Sequence, residues 1–243
     1  MTTLSGCTVV RNGVDLDYPL EASIETYAPI CDEVVVAYDP DSDDQTERLI
    51  RDIAKRHPKV RPVPSRWDLN NHNDGSEIAI QSNVAFEHSR GDWILYVQAD
   101  EAIHEQDHEA IRSILAQQEI LGAAFDRRSF MFTLDREIPQ YQAPNLLRLF
   151  RNGCAFAVGD AMTCATVQHA SGNIVQAGWR MYNYGRIGSD EQILTRARQR
   201  DRLYHESDEA IEKNQQLEMR QHVERFDPLF HPQAIRKHYA QFL

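Results

Sequence analysis

Gly91–Asp92–Trp93–Ile94–Leu95–Tyr96–Val97–Gln98–Ala99–Asp100–Glu101 is a short apolar run that follows a glycine turn and ends in two adjacent carboxylates. Trp93 to Val97 are aromatic, β-branched or aliphatic with no polar alternation, the pattern of a central strand covered on both faces. Neighbouring carboxylates repel one another unless a cation or a polar ligand compensates them. The stretch therefore reads as a buried strand carrying a site at its far end. The alternative is that Asp100 and Glu101 simply open the next helix, where acids favour the dipole.

Upstream, strands and helices alternate. Gly6 to Gly13 reads as a strand ending in an Asn-Gly turn, and Asp15 to Pro29 carries Leu16, Leu20, Ile24 and Tyr27 at helical spacing. Asp32 to Asp39 repeats the strand pattern. The acidic, turn-forming loop Pro40 to Asp44 then leads to a helix from Gln45 to His57, with Asp44 the preferred cap. Val60 to Val63 is a third strand, followed by Trp67, a polar loop from Asn70 to Gly75, and a helix from Ser76 to about His88. This order predicts an α/β fold with a parallel sheet and right-handed crossovers. In such sheets ligands lie beyond the carboxyl ends of the strands, which here present Arg11 and Asn12, Asp39, Arg66 and Trp67, then Asp100 and Glu101.

Downstream, a polar helix is expected from about His104 to Gln118, then strands over Ala123 to Leu134, Leu146 to Arg151, Phe156 to Val158, Thr163 to Gln168 and Ile174 to Tyr182. Ser189 to about Arg225 is charge-rich and helix-forming, and the tail after Pro232 fits an amphipathic helix. The 243 residues are read as one domain. A net charge of −11, from 37 acidic against 26 basic residues, argues against nucleic acid or an anionic membrane as partner. The segment Met1 to Gly6 has no basic region followed by an apolar core, and no apolar run is long enough for a transmembrane segment. A soluble, cytoplasmic protein is the expectation. Cys7, Cys31, Cys154 and Cys164 are scattered without a C-x-x-C pair, so free thiols are expected.

Thr8 to Asn12, then Asp39–Pro40–Asp41–Ser42–Asp43–Asp44–Gln45–Thr46, then Gln81–Ser82–Asn83, then Gly91 to Glu101 occur in the order found in family 2 glycosyltransferases of GT-A fold, which this chain resembles. The resemblance covers roughly the first hundred residues and implies a GT-A-type α/β fold with a mostly parallel central sheet flanked by helices. It implies a Rossmann-like nucleotide-sugar-binding half (1–101), an acceptor-side half (102–188) and a helical C-terminal region (189–243). The implied activity is inverting transfer of a sugar from a nucleotide-diphosphate sugar to a hydroxyl acceptor, a glycan or lipid-linked glycan. By the same resemblance Asp39 meets the nucleobase, while Thr8, Arg11, Asn12, Trp67, Asn83, Gln98 and Ala99 line the donor site. Asp100, with Glu101 and His231, would hold Mg²⁺ or Mn²⁺, which neutralises charge growing on the leaving diphosphate. Gln98 departs from the pattern, standing where the family usually has the first Asp of its metal motif.

An acceptor hydroxyl needs one carboxylate base; Asp160 is the preferred candidate, with Asp190 and Glu191 behind it, although Asp160 fits a turn cap equally well. Trp67 suits either a stacking platform or the core. Arg148, Arg151 and Arg186 suit either phosphate contacts or a solvated surface. His104–Glu105–Gln106–Asp107–His108 is a literal H-E-x-x-H, the helical zinc-hydrolase arrangement, but Asp107 and Glu109 make its surroundings polar and point to a surface helix. A nucleotide-sugar-binding protein without turnover is the other alternative, because Gln98 removes a charge from the metal motif.

Overall fold

The computed structural model describes residues 2–168, 170, 172–205 and 222–242. Strand β1 (Leu4–Val10), helix α1 (Leu20–Tyr27), β2 (Glu33–Tyr38), α2 (Thr46–Arg56), β3 (Val60–Pro64), α3 (Ser76–Glu87) and β4 (Trp93–Tyr96) follow the expected alternation. β2 and β4 flank β1 and β3 lies beyond β2, all parallel. The absence of polar alternation in these strands has a direct cause. Leu4, Val10, Val34, Val36, Trp93 and Leu95 pack on one face with Leu20, Ile24, Tyr27, Ile50 and Ile53. Cys7, Val9, Val35, Ile94 and Tyr96 pack on the other with Ala79, Ala85 and Phe86 of α3. Both faces of the strands are thus dry, as an α/β layered core requires. Gly91 is needed at the turn into β4, since a Cβ there would stand 2.7 Å from the Ser5 backbone nitrogen.

After β4 the chain makes a tight turn in which the Glu101 N–H donates to the Gln98 carbonyl at 2.9 Å. Glu101 then begins a strand, β5 (Glu101–Ile103), and not a helix. Helix α4 (His108–Ile114) is shorter than expected because Glu105–Asp107 form a 3₁₀ turn before it. β6 (Ile120–Phe132), β7 (Arg136–Glu137), β8 (Ala143–Arg151), β9 (Ala155–Val158), β10 (Thr163–Thr166) and β11 (Asn173–Ile187) make up the second half. β8 inserts antiparallel between β4 and β6, β11 runs parallel to β6, and β5 pairs antiparallel with β11. The sheet order is β12-β7-β6-β8-β4-β1-β2-β3, where β12 is Glu224–Arg225. The α/β class with a Rossmann-like first half is as expected, and the second half adds antiparallel strands to the parallel ones. Cys7, Cys31, Cys154 and Cys164 are free thiols, as expected.

Helix α5 (Asp190–Asp201) opens on a capping box between Ser189 and Gln192, and α6 (Gln233–His238) follows Pro232 as expected. The part of the expected C-terminal helical region between 206 and 221 lies outside the described residues. Arg196 ties α5 to the rest of the fold through the Leu16, Asp17 and Ile187 carbonyls. Among the described residues no helix is long and apolar enough to cross a membrane.

Candidate active site

A cleft of about 680 Å³ opens where the carboxyl ends of β1, β2 and β4 meet α5 and the far end of β11. Its floor begins at Arg11 and Asn12, immediately after β1. The Arg11 Nε donates to Asp39 Oδ2 at 2.9 Å, and Asp39 Oδ1 accepts the Asp41 N–H at 3.0 Å. Asp39 is only 2 % exposed, so it stands behind Arg11 and aims that guanidinium instead of lining the cleft itself. Asn12 adopts φ +49°, a left-handed conformation that Asn tolerates better than most residues. In it the Asn12 Oδ1 accepts the Asp43 N–H at 3.0 Å and its Nδ2 donates to Gln199 Oε1 of α5 at 3.3 Å. The N-cap position of α2 is Gln45, not the expected Asp44; from one residue earlier Asp44 accepts the Thr46 N–H at 2.9 Å and also takes the Val14 and Asp15 N–H groups. Partial burial opposes the charge on its carboxyl, but the Thr46 hydroxyl and these amide groups together hold it below its ordinary range.

The turn after β4 delivers Gln98, Ala99 and Asp100 to the cleft. The Gln98 Nε2 donates to the Ala161 carbonyl at 3.3 Å, tying the turn to the loop that carries Asp160. Asp100 Oδ2 accepts from Asn183 Nδ2 at 3.0 Å, and the Asp100 carbonyl accepts the Tyr184 N–H at 2.7 Å. A Cβ at Gly185 would overlap Asp100 Oδ2, so glycine there lets the carboxylate lie against β11. Across the cleft, Asp160 accepts from the Tyr204 hydroxyl at 2.9 Å and from the Met162 N–H at 3.2 Å. A carboxylate has about four lone-pair sites, so Asp160 keeps capacity for a further proton donor. Trp67 packs partly on the α3-side core and also lines the cleft.

Several expected site residues lie elsewhere. Glu101 is fully buried, and both its oxygens are taken by Arg148, at 2.9 and 3.0 Å. Burial pushes the Glu101 carboxyl up, and the Arg148 guanidinium opposes that rise. Its expected metal contact does not fit this placement. His231 is likewise fully buried, with Nδ1 at 2.9 Å from the Tyr184 hydroxyl and Nε2 at 2.7 Å from the Leu134 carbonyl. Burial pushes this imidazole down to about 4; with both ring nitrogens engaged it is a core residue and not a metal ligand. Asn83 spends its amide on the Ala157 backbone, at 2.8 and 3.2 Å, and so pins β9 to α3. Thr8 is wholly buried within β1. The H-E-x-x-H does not form a helical metal face, because His104 precedes the 3₁₀ turn and His108 begins α4, its Nε2 at 2.7 Å from the Thr26 carbonyl.

The structure also brings in residues that the strand pattern did not single out. Arg127 of β6, Asn183 and Gly185 of β11, and Gln199 and Tyr204 at the C-terminal side all line the cleft. They come from distant parts of the chain; Asn183 and Gly185 fall in Met181–Tyr182–Asn183–Tyr184–Gly185, a stretch that also resembles later features of family 2 glycosyltransferases, whereas no local motif marks Arg127, Gln199 or Tyr204. Of the basic candidates, Arg186 lines the cleft with its guanidinium over the Tyr141 ring, at 4.2 Å. Arg151 instead braces the Gln117 and Ile120 carbonyls from above Trp93.

No family model matches the chain, and no curated protein matches it. Among solved structures it is similar to S. aureus TarS 1-349, with a TM-score of 0.46 at 14 % identity over 89 % of this chain and 70 % of that one. The same fragment in complex with UDP gives a TM-score of 0.49 at 14 % identity, covering 88 % and 69 %. Its complex with UDP-GlcNAc gives 0.47 at 15 % identity, covering 88 % and 70 %.

The donor set bears on the expected Mg²⁺ or Mn²⁺. Of the expected ligands only Asp100 reaches the cleft, and one of its oxygens already serves Asn183. Among the described residues the one cluster of three potential ligands, Glu21, Glu25 and His57, is not part of the cleft. A Mg²⁺ ion accepts one or two carboxylates when substrate phosphates and water complete its shell, so Asp100 is compatible with a substrate-borne cation but not with a three-ligand protein site.

Proposed function

We propose that this protein is a glycosyltransferase whose cleft binds a nucleotide-diphosphate sugar and transfers the glycosyl group to a hydroxyl acceptor with inversion. The observation that carries the reading is the convergence of Asp39-aimed Arg11, Asn12 and Asp100 on one cleft, beyond the carboxyl ends of parallel strands. That edge is where nucleotides bind in open α/β sheets. Asn12 and the Arg11 guanidinium that Asp39 aims offer polar groups suited to a nucleobase and ribose, and Trp67 offers an apolar face. Asp100 would hold a cation if one is bound, and that cation would supply neutralisation of the diphosphate charge.

Asp160 is the base in this reading. The acceptor oxygen forms a bond to the anomeric carbon as the bond from that carbon to the phosphate oxygen breaks. The electron pair leaves with the diphosphate, and the acceptor proton passes to the Asp160 carboxylate. Attack from the face opposite the diphosphate gives inversion. Tyr204, donating to Asp160 at 2.9 Å, fixes the orientation of that carboxylate.

The test is a thermal-shift panel of UDP, GDP, ADP and their sugars, with sugar-nucleotide hydrolysis followed in parallel. A cognate nucleotide raises the melting temperature by mass action. Asp39→Ala is expected to abolish that rise, and Asp160→Asn to keep it while losing turnover. No rise with any nucleotide, with or without Mn²⁺, would overturn the reading.

A further inference from the structure

The cleft is short of carboxylates and well supplied with guanidinium groups. In a chain of net charge −11, Arg11, Arg127, Arg186, Arg196 and Arg200 all line it. Most of these charges have described partners. Arg11 pairs with Asp39, Arg196 is spent on three backbone carbonyls, and Arg200 lies 3.1 Å from Asp201. Arg127 differs, because its Nε is buried and has no hydrogen-bond partner among the described residues.

The cost of that arrangement is visible in its surroundings. Burial opposes the Arg127 charge, Glu101 and Asp100 favour it, and Arg148 and Arg186 oppose it, with a net downward push on its pKa. Glu101 is already neutralised by Arg148, so it compensates Arg127 only in part. A partly desolvated cation with an unmet buried donor is unfavourable by itself, and an anion in the cleft would meet the edge of the Arg127 guanidinium that lines it, not the buried Nε. Guanidinium also matches phosphate oxygens in geometry as well as charge.

We propose that Arg127 binds the diphosphate of the nucleotide sugar, carrying charge that a cation would otherwise neutralise, so that nucleoside diphosphates bind this protein without a divalent metal. The proposal rests on the nucleotide-sugar reading and adds to it the group that receives the leaving charge. It accounts for three departures together: Gln98 in place of an acid, Glu101 withdrawn into an ion pair, and His231 withdrawn into the core. Each removes a ligand from a metal site, and Arg127 supplies positive charge on the same cleft.

The deciding experiment measures UDP binding to the full chain by calorimetry and thermal shift, in EDTA and in Mn²⁺, with inorganic pyrophosphate as competitor; the cognate base replaces UDP if the panel selects another. Wild type is expected to bind in EDTA and to be displaced by pyrophosphate. Arg127→Gln is expected to lose roughly 10- to 100-fold in affinity in EDTA, with the melting temperature of the free protein not lowered, since a desolvated charge has been removed. Arg127→Lys, which keeps the charge but not the fork, is expected to fall between the two. Wild-type binding that requires Mn²⁺, or equal affinities of wild type and Arg127→Gln, would overturn the proposal while leaving the nucleotide-sugar reading intact. Absence of binding by every nucleotide in both buffers would overturn that reading as well.

Discussion

The cleft and the layer directly beneath it contain the same kinds of side chain in opposite conditions. Beneath the cleft, Arg148 meets Glu101 through two hydrogen bonds, gives a third to the Met162 carbonyl, and lies 4.8 Å from the Tyr96 ring centre. His231, with both ring nitrogens engaged, is saturated in the same way. At the cleft, Arg127 presents a guanidinium whose buried Nε has no partner among the described residues, and Asp100 and Asp160 each keep lone pairs. Buried polar groups that have spent their bonding capacity hold structure, because leaving them unpaired would cost too much. Groups that line the cleft and have capacity left are the ones available to a ligand. Asp100 and Glu101, adjacent in sequence, fall on opposite sides of this division.

The sharpest way to break the comparison is at the saturated layer. Arg148→Met leaves the Glu101 carboxylate buried and unpaired, and is expected to cost about 3–5 kcal/mol, read by denaturant unfolding. Adding Glu101→Leu to that variant should restore much of the loss, since an apolar pair replaces an ion pair at little net cost.

Acid should reveal the second saturated group. The folded-state pKa of His231 is about 4 and its unfolded value 6.5, so the unfolded chain binds more protons between those limits. Its contribution to stability is therefore complete above 6.5 and is lost as pH falls toward 4, on the order of 3 kcal/mol in all. Unfolding free energies of His231→Gln measured across this window should show a shallower dependence than wild type; parallel curves would place the imidazole in a wetter site.

In the cleft itself, Gly185→Ala forces the Asp100 carboxylate away from Asn183. Overpacking of this kind costs about 1–3 kcal/mol, and the expected signature is a loss of turnover larger than the loss of nucleotide affinity. The smallest effect is expected at the H-E-x-x-H. His104→Ala removes the acceptor of the Gln106 N–H at 3.1 Å, worth about 1 kcal/mol. It should leave metal content and activity unchanged, whereas zinc that copurifies with wild type and is lost from this variant would revive the hydrolase alternative.

Most of the first half was legible in the sequence for a physical reason. Parallel strands covered on both faces must be continuously apolar, and the helices between them must carry apolar residues at helical spacing, so Trp93 to Val97, Val34 to Val36 and the Leu20–Ile24–Tyr27 series declare their roles locally. The carboxyl edge follows from that alternation, which groups Arg11, Asn12, Asp39, Arg66, Trp67, Asp100 and Glu101; of these Arg11, Asn12, Trp67 and Asp100 line the cleft. What a side chain does with its polar atoms is not local. Whether Glu101 points at a ligand or at Arg148, 47 residues away, depends on β8 inserting beside β4. The same holds for His231 against Tyr184, for Asn12 against Gln199, and for Asp160 against Tyr204. Hydrogen-bond saturation is a property of packed neighbours, and only the tertiary structure decided which of these charges remain open to a ligand.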